Sequence, residues 1–291
     1  MATPFAQATC DLCGAPGRFY GRGRKCDLLR CPRCGLLWTH PLHRFEAALP
    51  EGSFCWAEEV YESNAAFHRE RFRGLSRTLL RVGRIAEPGS IRALEVGSGL
   101  GFFLDACEEL GIHAEGCDLS ERAVQYANRR APRARVGTLD GHYGSDSFDL
   151  LCAFNLIEHL THPGEFITEA RRVLRVGGLL ALETPVQESL FHVAGRLAYW
   201  LSRGRLRFFG MTPDGHIYKF SKRTFRVVGE RFGFSIVYQR NIESPFKEIW
   251  AKSGIAKIEH RRLYRCALPV AWFLARASGL GNRLFIVLRK N

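Results

Sequence analysis

Two sets of residues could do chemistry in this 291-residue chain: four paired cysteines near one end and a glycine turn preceded by an acid. Cys10-Asp-Leu-Cys13 and Cys31-Pro-Arg-Cys34 are C-x-x-C knuckles with 17 residues between them, a spacing within the range of four-cysteine zinc ribbons. Each knuckle turns two thiolates toward one point, and tetrahedral zinc accepts four sulfurs. With cysteine in all four positions no coordination site is left for water or substrate, so the expected Zn2+ is structural. Gly14 and Gly35 follow the second cysteine of each pair, where the returning chain needs a relaxed backbone. Cys26 reads as a bystander, and unmetalled cysteines in a reduced core are the competing reading.

The second set is Leu94-Glu-Val-Gly-Ser-Gly-Leu-Gly101, between an apolar run at Ile91 to Val96 and a helically spaced Phe102-Phe-Leu-Asp-Ala-Cys107. That is strand, tight turn, helix. Gly97, Gly99 and Gly101 let a ligand reach the main chain, and the helix start offers N–H groups that favour an anionic group. The third glycine comes one place too early for the dinucleotide pattern G-x-G-x-x-G, with Phe102 where its last glycine would stand. Downstream, Ile112 to Asp118 reads as a second strand ending in an acid, close to the offset at which a carboxylate meets ribose hydroxyls. Two further blocks follow, Ser147 to Leu160 and Arg172 to Pro185.

In order and spacing these four blocks closely resemble the motifs of class I S-adenosylmethionine-dependent methyltransferases, over roughly residues 90 to 240. The resemblance implies that Glu95, Gly97, Ser98, Gly99, Gly101 and Phe102 receive the methionine part of S-adenosyl-L-methionine, with Glu95 on its amino group. It places Asp118 and Leu119 at the adenosine ribose and Asn155 at the rim of the same crevice. Gly137 to His142 resembles the adenine loop of that family, but Thr138 stands where an acid is common. Leu139 by its backbone or Asp140 by its carboxylate then holds the adenine edge, and an acidic surface turn fits equally. Related quinone-pathway O-methyltransferases carry a glutamate at the position of Asn155 and use it with the equivalents of Glu158 and His159 to hold a divalent metal. Asn155 breaks that pattern, so no catalytic metal is expected.

Displacement at a sulfonium needs an aligned nucleophile and, for a hydroxyl acceptor, a base near neutrality. His159 is the first candidate and His216 the second, with Tyr218 assisting; each could instead brace its loop. A zinc-ribbon head also occurs in a subset of the family that acts on sugars or other small secondary metabolites, which implies a small-molecule acceptor with an O or C nucleophile.

The elements that must position these groups follow from alternation. Strands are expected near 91–96, 113–118, 134–137, 148–154, 178–184, 234–240 and 284–289, with helices near 101–110, 121–130, 164–175 and 222–232. The fold class is α/β, a Rossmann-like doubly wound, mostly parallel seven-stranded sheet with a small N-terminal zinc ribbon. Three parts are expected: ribbon 1–45, helical lead-in 46–88 and core domain 89–291, with a helical insertion near 187–215. Phe67, Phe72, Leu75, Leu79 and Val82 give the lead-in its apolar face. In the insertion, Leu190, Val193, Ala194, Leu197 and Leu201 follow helical spacing, with Trp200 beside them and Arg203, Arg205 and Arg207 beyond. A lid or a basic helix resting on a membrane would fit; a cap packed on the core is the expected role. The tail from Arg261 to Ala277 resembles a helix, and the resemblance to the methyltransferase family implies a closing strand antiparallel beside the fifth.

Hydrophobic residues at 46% and charged ones at 24% suit a soluble protein. No secretory pattern is visible at Met1 to Thr9, so ten cysteines suggest a reduced, cytoplasmic setting. The net charge of +13 invites a nucleic-acid or anionic-membrane partner, but the arginines are scattered and read mainly as solvated surface. Two alternatives stand beside the leading reading: an RNA base methyltransferase gripping RNA with its ribbon, and a cofactor-binding module without turnover. The oligomeric state is open.

Overall fold

A computed structural model describes residues 8–22, 26–41, 62–205, 216–243 and 261–291, with side chains of the last segment from 269 onward. The part of the expected lead-in before Glu62, and the end of the insertion including Arg207, lie outside the described residues.

Seven strands form the main sheet: β4 (Arg92–Val96), β5 (His113–Asp118), β6 (Ala134–Val136), β7 (Phe148–Phe154), β8 (Leu174–Pro185), β10 (Phe234–Ile242) and β11 (Arg283–Lys290). Their order is β10-β11-β8-β7-β4-β5-β6. Neighbours from β8 to β6 pair parallel, and β11 lies antiparallel between β10 and β8, as expected of the closing strand. Central strands buried on both faces need continuous apolar runs. β7 supplies one, with Phe148, Leu150, Leu151, Cys152, Ala153 and Phe154 all buried.

Alternate residues of these strands feed two apolar layers. Leu94, Leu151, Leu180 and Ile286 join one layer beneath α4 (Pro163–Val173) and α6 (Lys222–Phe232). Ala93, Leu150, Ala181 and Val287 join the other beneath α1 (Ala65–Gly83) and α2 (Phe102–Glu109). A short α3 (Glu121–Ala127) covers the far edge, capped by the Ser120 hydroxyl on the Ala123 N–H. β8 starts four residues earlier than the pattern suggested, because α4 hands over to it directly. Arg175 to Gly177 then bulge outward, so Leu174 faces Phe148 while Leu179 already faces Leu150.

The ribbon is built into the core. β1 (Arg18–Arg22), β2 (Asp27–Arg30) and β3 (Leu37–His40) form an antiparallel sheet that β9 (Tyr218–Lys219) of the main domain completes. Its four cysteines and Trp38 share the apolar layer of Leu94 and Phe225. The Thr224 hydroxyl donates to the Cys34 carbonyl, the Gln187 amide to the carbonyls of Gly35 and Lys219, and the Gly164 N–H to the Asp11 carboxylate at 2.6 Å.

The insertion corrects one expectation. Helix α5 (Leu190–Leu201) does not bury its apolar stripe: Val193, Leu197, Trp200 and Leu201 are 49%, 54%, 74% and 66% exposed. The face that packs inward carries His192 and Tyr199, which meet Tyr20 and the Arg22 N–H of the ribbon. A polar and aromatic seam with β1 therefore sets the roll of the helix, and the hydrophobic spacing does not. Helix α7 (Arg261–Ala277) precedes β11 as expected. Among the described residues no helix is long and apolar enough to cross a membrane.

Candidate functional site

The glycine turn leaves the carboxyl end of β4 where the sheet order reverses between β7 and β5, the place at which open α/β sheets leave a crevice. Gly97 and Ser98 both donate to the Cys117 carbonyl, which fastens the turn to β5. Gly101 caps α2 at φ 75°, and a side chain there would stand 2.9 Å from the Ala127 Cβ. Gly99, at φ 48°, faces open space within 4 Å, so its main chain is the surface a ligand can touch.

Two acids flank this surface. Asp118 accepts from the Gly99 N–H at 2.8 Å and from the Ser120 N–H at 2.9 Å, which fixes the carboxylate and leaves each oxygen a further lone pair for a hydroxyl. Glu95 is 2% exposed and its Oε2 has no hydrogen-bond partner. Burial, with the Asp118 charge added, pushes its carboxyl well above the usual range. A buried acceptor left unmatched is costly, and a cationic group of a ligand would relieve it. The Ser98 hydroxyl is likewise buried and unpartnered. The open glycine, the orphaned acid and the braced second acid fit a ligand bearing an ammonium at one end and a diol at the other.

The other expected contacts are distributed around this core. Phe102 is buried at the start of α2 with its ring stacked on His68 of α1, centroids 5.5 Å apart. Leu119 is exposed, Leu139 buried and Asp140 exposed, the last accepting from the Thr138 hydroxyl at 3.5 Å. Asn155 sits at φ 54° with its N–H on the Glu183 carbonyl.

The loop after β7 closes the other side. Leu156 lies 3.1 Å from where a Gly97 side chain would stand, so this loop touches the glycine turn. Beyond it, His159 and His216 meet edge to face with ring centroids 4.7 Å apart. The Ile217 and Tyr218 N–H groups both donate to the Glu158 carbonyl, which binds the two loops together. Tyr218 is buried and its hydroxyl donates to the Thr161 carbonyl at 3.0 Å, a brace for the same loop.

Glu158 is a group in its own right that its sequence neighbourhood did not single out. It is fully buried, accepts from the Thr184 hydroxyl through Oε2 at 3.0 Å, and has no partner on Oε1. Burial raises its carboxyl to about 7. One ligand atom each from Glu158, His159 and His216 lies within 4.8 Å of the others, close enough to hold a cation, although no metal was expected there. The sequence offered the Glu158-His159 pair and His216 separately; the Ile217 and Tyr218 N–H groups on the Glu158 carbonyl bring them together, a contact with no local pattern.

Sequence reading also gave the lead-in no place in the site. Arg71 of α1 reaches Glu183 at the end of β8 at 2.5 Å, and Arg283 of β11 reaches the same carboxylate at 2.9 Å. Burial alone would raise Glu183, but the two guanidiniums more than offset it and hold the carboxyl below its ordinary value. Arg69 pairs with Asp105 of α2 at 3.0 Å, so α1 is strapped across the sheet end beside the crevice.

At the ribbon, Sγ of Cys10, Cys13, Cys31 and Cys34 lie within 4.8 Å of one another and all four residues are buried. With no cation, the Cys34 hydrogen bond and burial push the Cys10 thiol up, and burial raises Cys13 to about 11. Four crowded, desolvated sulfurs are the donor set that a tetrahedral zinc ion matches.

The family described as "Methyltransferase domain" matches residues 67–239. A ubiquinone biosynthesis O-methyltransferase of Bradyrhizobium sp. (strain ORS 278) is 26% identical over 175 residues, 56% of this chain and 66% of that protein. The chain thus spans just under two thirds of that relative's length. A probable S-adenosylmethionine-dependent methyltransferase of Mycolicibacterium smegmatis is 36% identical over 95 residues, 32% of this chain and 37% of that one. Among solved structures, a chain of the complex between the Haloferax volcanii Trm112 methyltransferase activator and a methyltransferase matches with TM-score 0.53 at 17% identity, covering 84% of this chain and 96% of that one. The [4+2]-cyclase SpnF matches with TM-score 0.50 at 18% identity, covering 75% and 81%. At such identities the structures establish the fold alone.

Proposed function

The chain belongs to the methyltransferase-domain family, and from that premise we propose that it passes the methyl group of S-adenosyl-L-methionine to an oxygen or carbon nucleophile of a small molecule. The observation that carries this is the orphaned Glu95 carboxylate beside the open Gly99 backbone. When bound, that cofactor supplies an electrophilic methyl on a sulfonium, displaced in line. Glu95 takes its ammonium, the turn from Gly97 to Phe102 wraps its methionine part, and Asp118 takes the ribose, with Leu119 over the sugar. Leu139 and Asp140 line the adenine end, and Asn155 shapes the rim. His159 and His216 face the acceptor and remove its proton, with Glu158 as a neighbouring carboxyl that can share it. Tyr218 positions their loop. A sugar or other secondary metabolite is the acceptor class that the ribbon head suggests. Cys10, Cys13, Cys31 and Cys34 hold structural Zn2+ in segment 1–45, and this ribbon lies outside the family match, which begins inside α1.

The test is transfer of labelled methyl into fractionated cell extract by the zinc-loaded full chain. Label entering small molecules and falling at least about a hundredfold in His216→Ala is the expected result. Label entering RNA would move the reading to nucleic acid, and no label anywhere, with cofactor bound, would leave a binding module. Activity lost on chelation of a weakly held cation, with the ribbon zinc retained, would turn the Glu158, His159 and His216 cluster from a proton relay into a metal centre.

A further inference from the structure

Helix α5 presents to solvent the residues that a buried helix would hide. Leu190, Val193, Ala194, Leu197, Trp200 and Leu201 share one face by helical spacing, and Trp200 is its most exposed large member at 74%. The opposite face is already taken by the ribbon, through His192 and Tyr199. Arg196 flanks the stripe and Arg203 follows it, both exposed. From Ser189 to Pro213 the sequence contains four arginines and no acid.

A second element continues the pattern. On α7, Val270, Phe273 and Leu274 are 58%, 64% and 53% exposed, and from His260 to the last residue the sequence again contains no acid. The two helices meet at their ends: the Leu190 N–H donates to the Leu280 carbonyl at 2.9 Å, and the Leu280 N–H to the Ala275 carbonyl at 2.9 Å.

We propose that α5, with the exposed end of α7, is a docking face for the surface of an anionic phospholipid membrane. Charge selects the occupant. An apolar stripe rimmed by arginine in a chain of net charge +13 is attracted to anionic headgroups, each basic residue near the surface adding to the attraction. A second copy would bring two such acid-free, cationic rims together, which like-charge repulsion disfavours. Trp200 has the amphipathic ring that settles at headgroup level. Twelve residues are too few to span a bilayer, so the helix lies in the interface plane with its stripe in the acyl boundary.

Flotation of the full-length protein tests this, with vesicles of phosphatidylcholine alone or mixed with phosphatidylglycerol. The protein should float with the mixed vesicles and not with phosphatidylcholine alone, and salt should release it. The double variant Leu197→Asp, Trp200→Asp should lower the bound fraction about tenfold or more, with an unchanged melting temperature. Arg196→Glu with Arg203→Glu should do the same by a route that leaves the apolar stripe intact. The proposal is overturned by absence of flotation with both vesicles, by equal flotation with both, or by wild-type binding in the two variants. A wild-type dimer that Trp200→Asp converts to a monomer, without vesicle binding, would assign the face to a second copy. None of these outcomes depends on methyl transfer.

Discussion

In the proposed function, Glu95 is the residue on which cofactor uptake turns. Its carboxyl is held above the usual range by burial and by Asp118, so the free protein keeps a proton there at pH values where an exposed glutamate has lost it. An incoming ammonium favours the ionised form, and binding must then release that proton. Affinity is expected to rise with pH until Glu95 is ionised in the free protein and to level off above that. Calorimetry in two buffers of different ionisation enthalpy measures the release directly; equal heats in both would contradict it. For Glu183 the sign is opposite. Its folded value lies below the ordinary one, so the stability it contributes is fully present above the unfolded value of about 4.3 and is lost as pH falls through the folded one. Glu183→Gln leaves Arg71 and Arg283 facing a neutral group in a buried pocket and should cost about 3 kcal/mol, read by denaturant unfolding at neutral pH. Glu95 was legible in sequence because its place before the glycine turn is fixed by local spacing. Glu158 entered only through the family resemblance and Glu183 not at all, because what singles them out is burial and the partners that distant strands bring.

At the level of elements, the seven strands of the main sheet were legible, within two residues except at the start of β8, since a buried parallel strand writes itself as a short apolar run between breakers. What escaped was pairing across long separations. β9 is two residues long and carries no periodic signal, yet its pairing with β3, Trp38 against Tyr218, hangs the His216 loop on the ribbon. The direction of the α5 stripe also escaped, because amphipathic spacing gives a face and not what lies opposite it. The ribbon therefore has a task beyond its own stability. Stripping zinc, or replacing Cys31 by Ser, should loosen β3 from β9 and disturb the surroundings of buried Trp38. The expected readout is a change in tryptophan fluorescence of wild type on chelation that is abolished in Trp38→Phe. An unchanged spectrum would mean that the ribbon holds its pairing without the metal.

For the whole molecule, the excess of arginine is less a solvated coat than composition suggested. Arg69 and Arg133 meet at Asp105, Arg71 and Arg283 meet at Glu183, and Arg73 reaches Glu109, so several guanidiniums fasten α1 and the sheet rather than face a partner. Around α5, by contrast, Arg196, Arg203 and Arg205 are exposed beside the apolar stripe. High salt should weaken vesicle binding more than it weakens cofactor binding, because exposed charges are screened and the buried Glu95 much less so. The proposed function stands or falls with the crevice between Glu95 and Asp118. Titration calorimetry of S-adenosylmethionine into the zinc-loaded full chain and into Glu95→Gln tests it most directly. Saturable binding by wild type, weakened about tenfold or more in the variant at unchanged melting temperature, is the predicted result. No uptake by wild type, or equal affinity in both proteins, would contradict it.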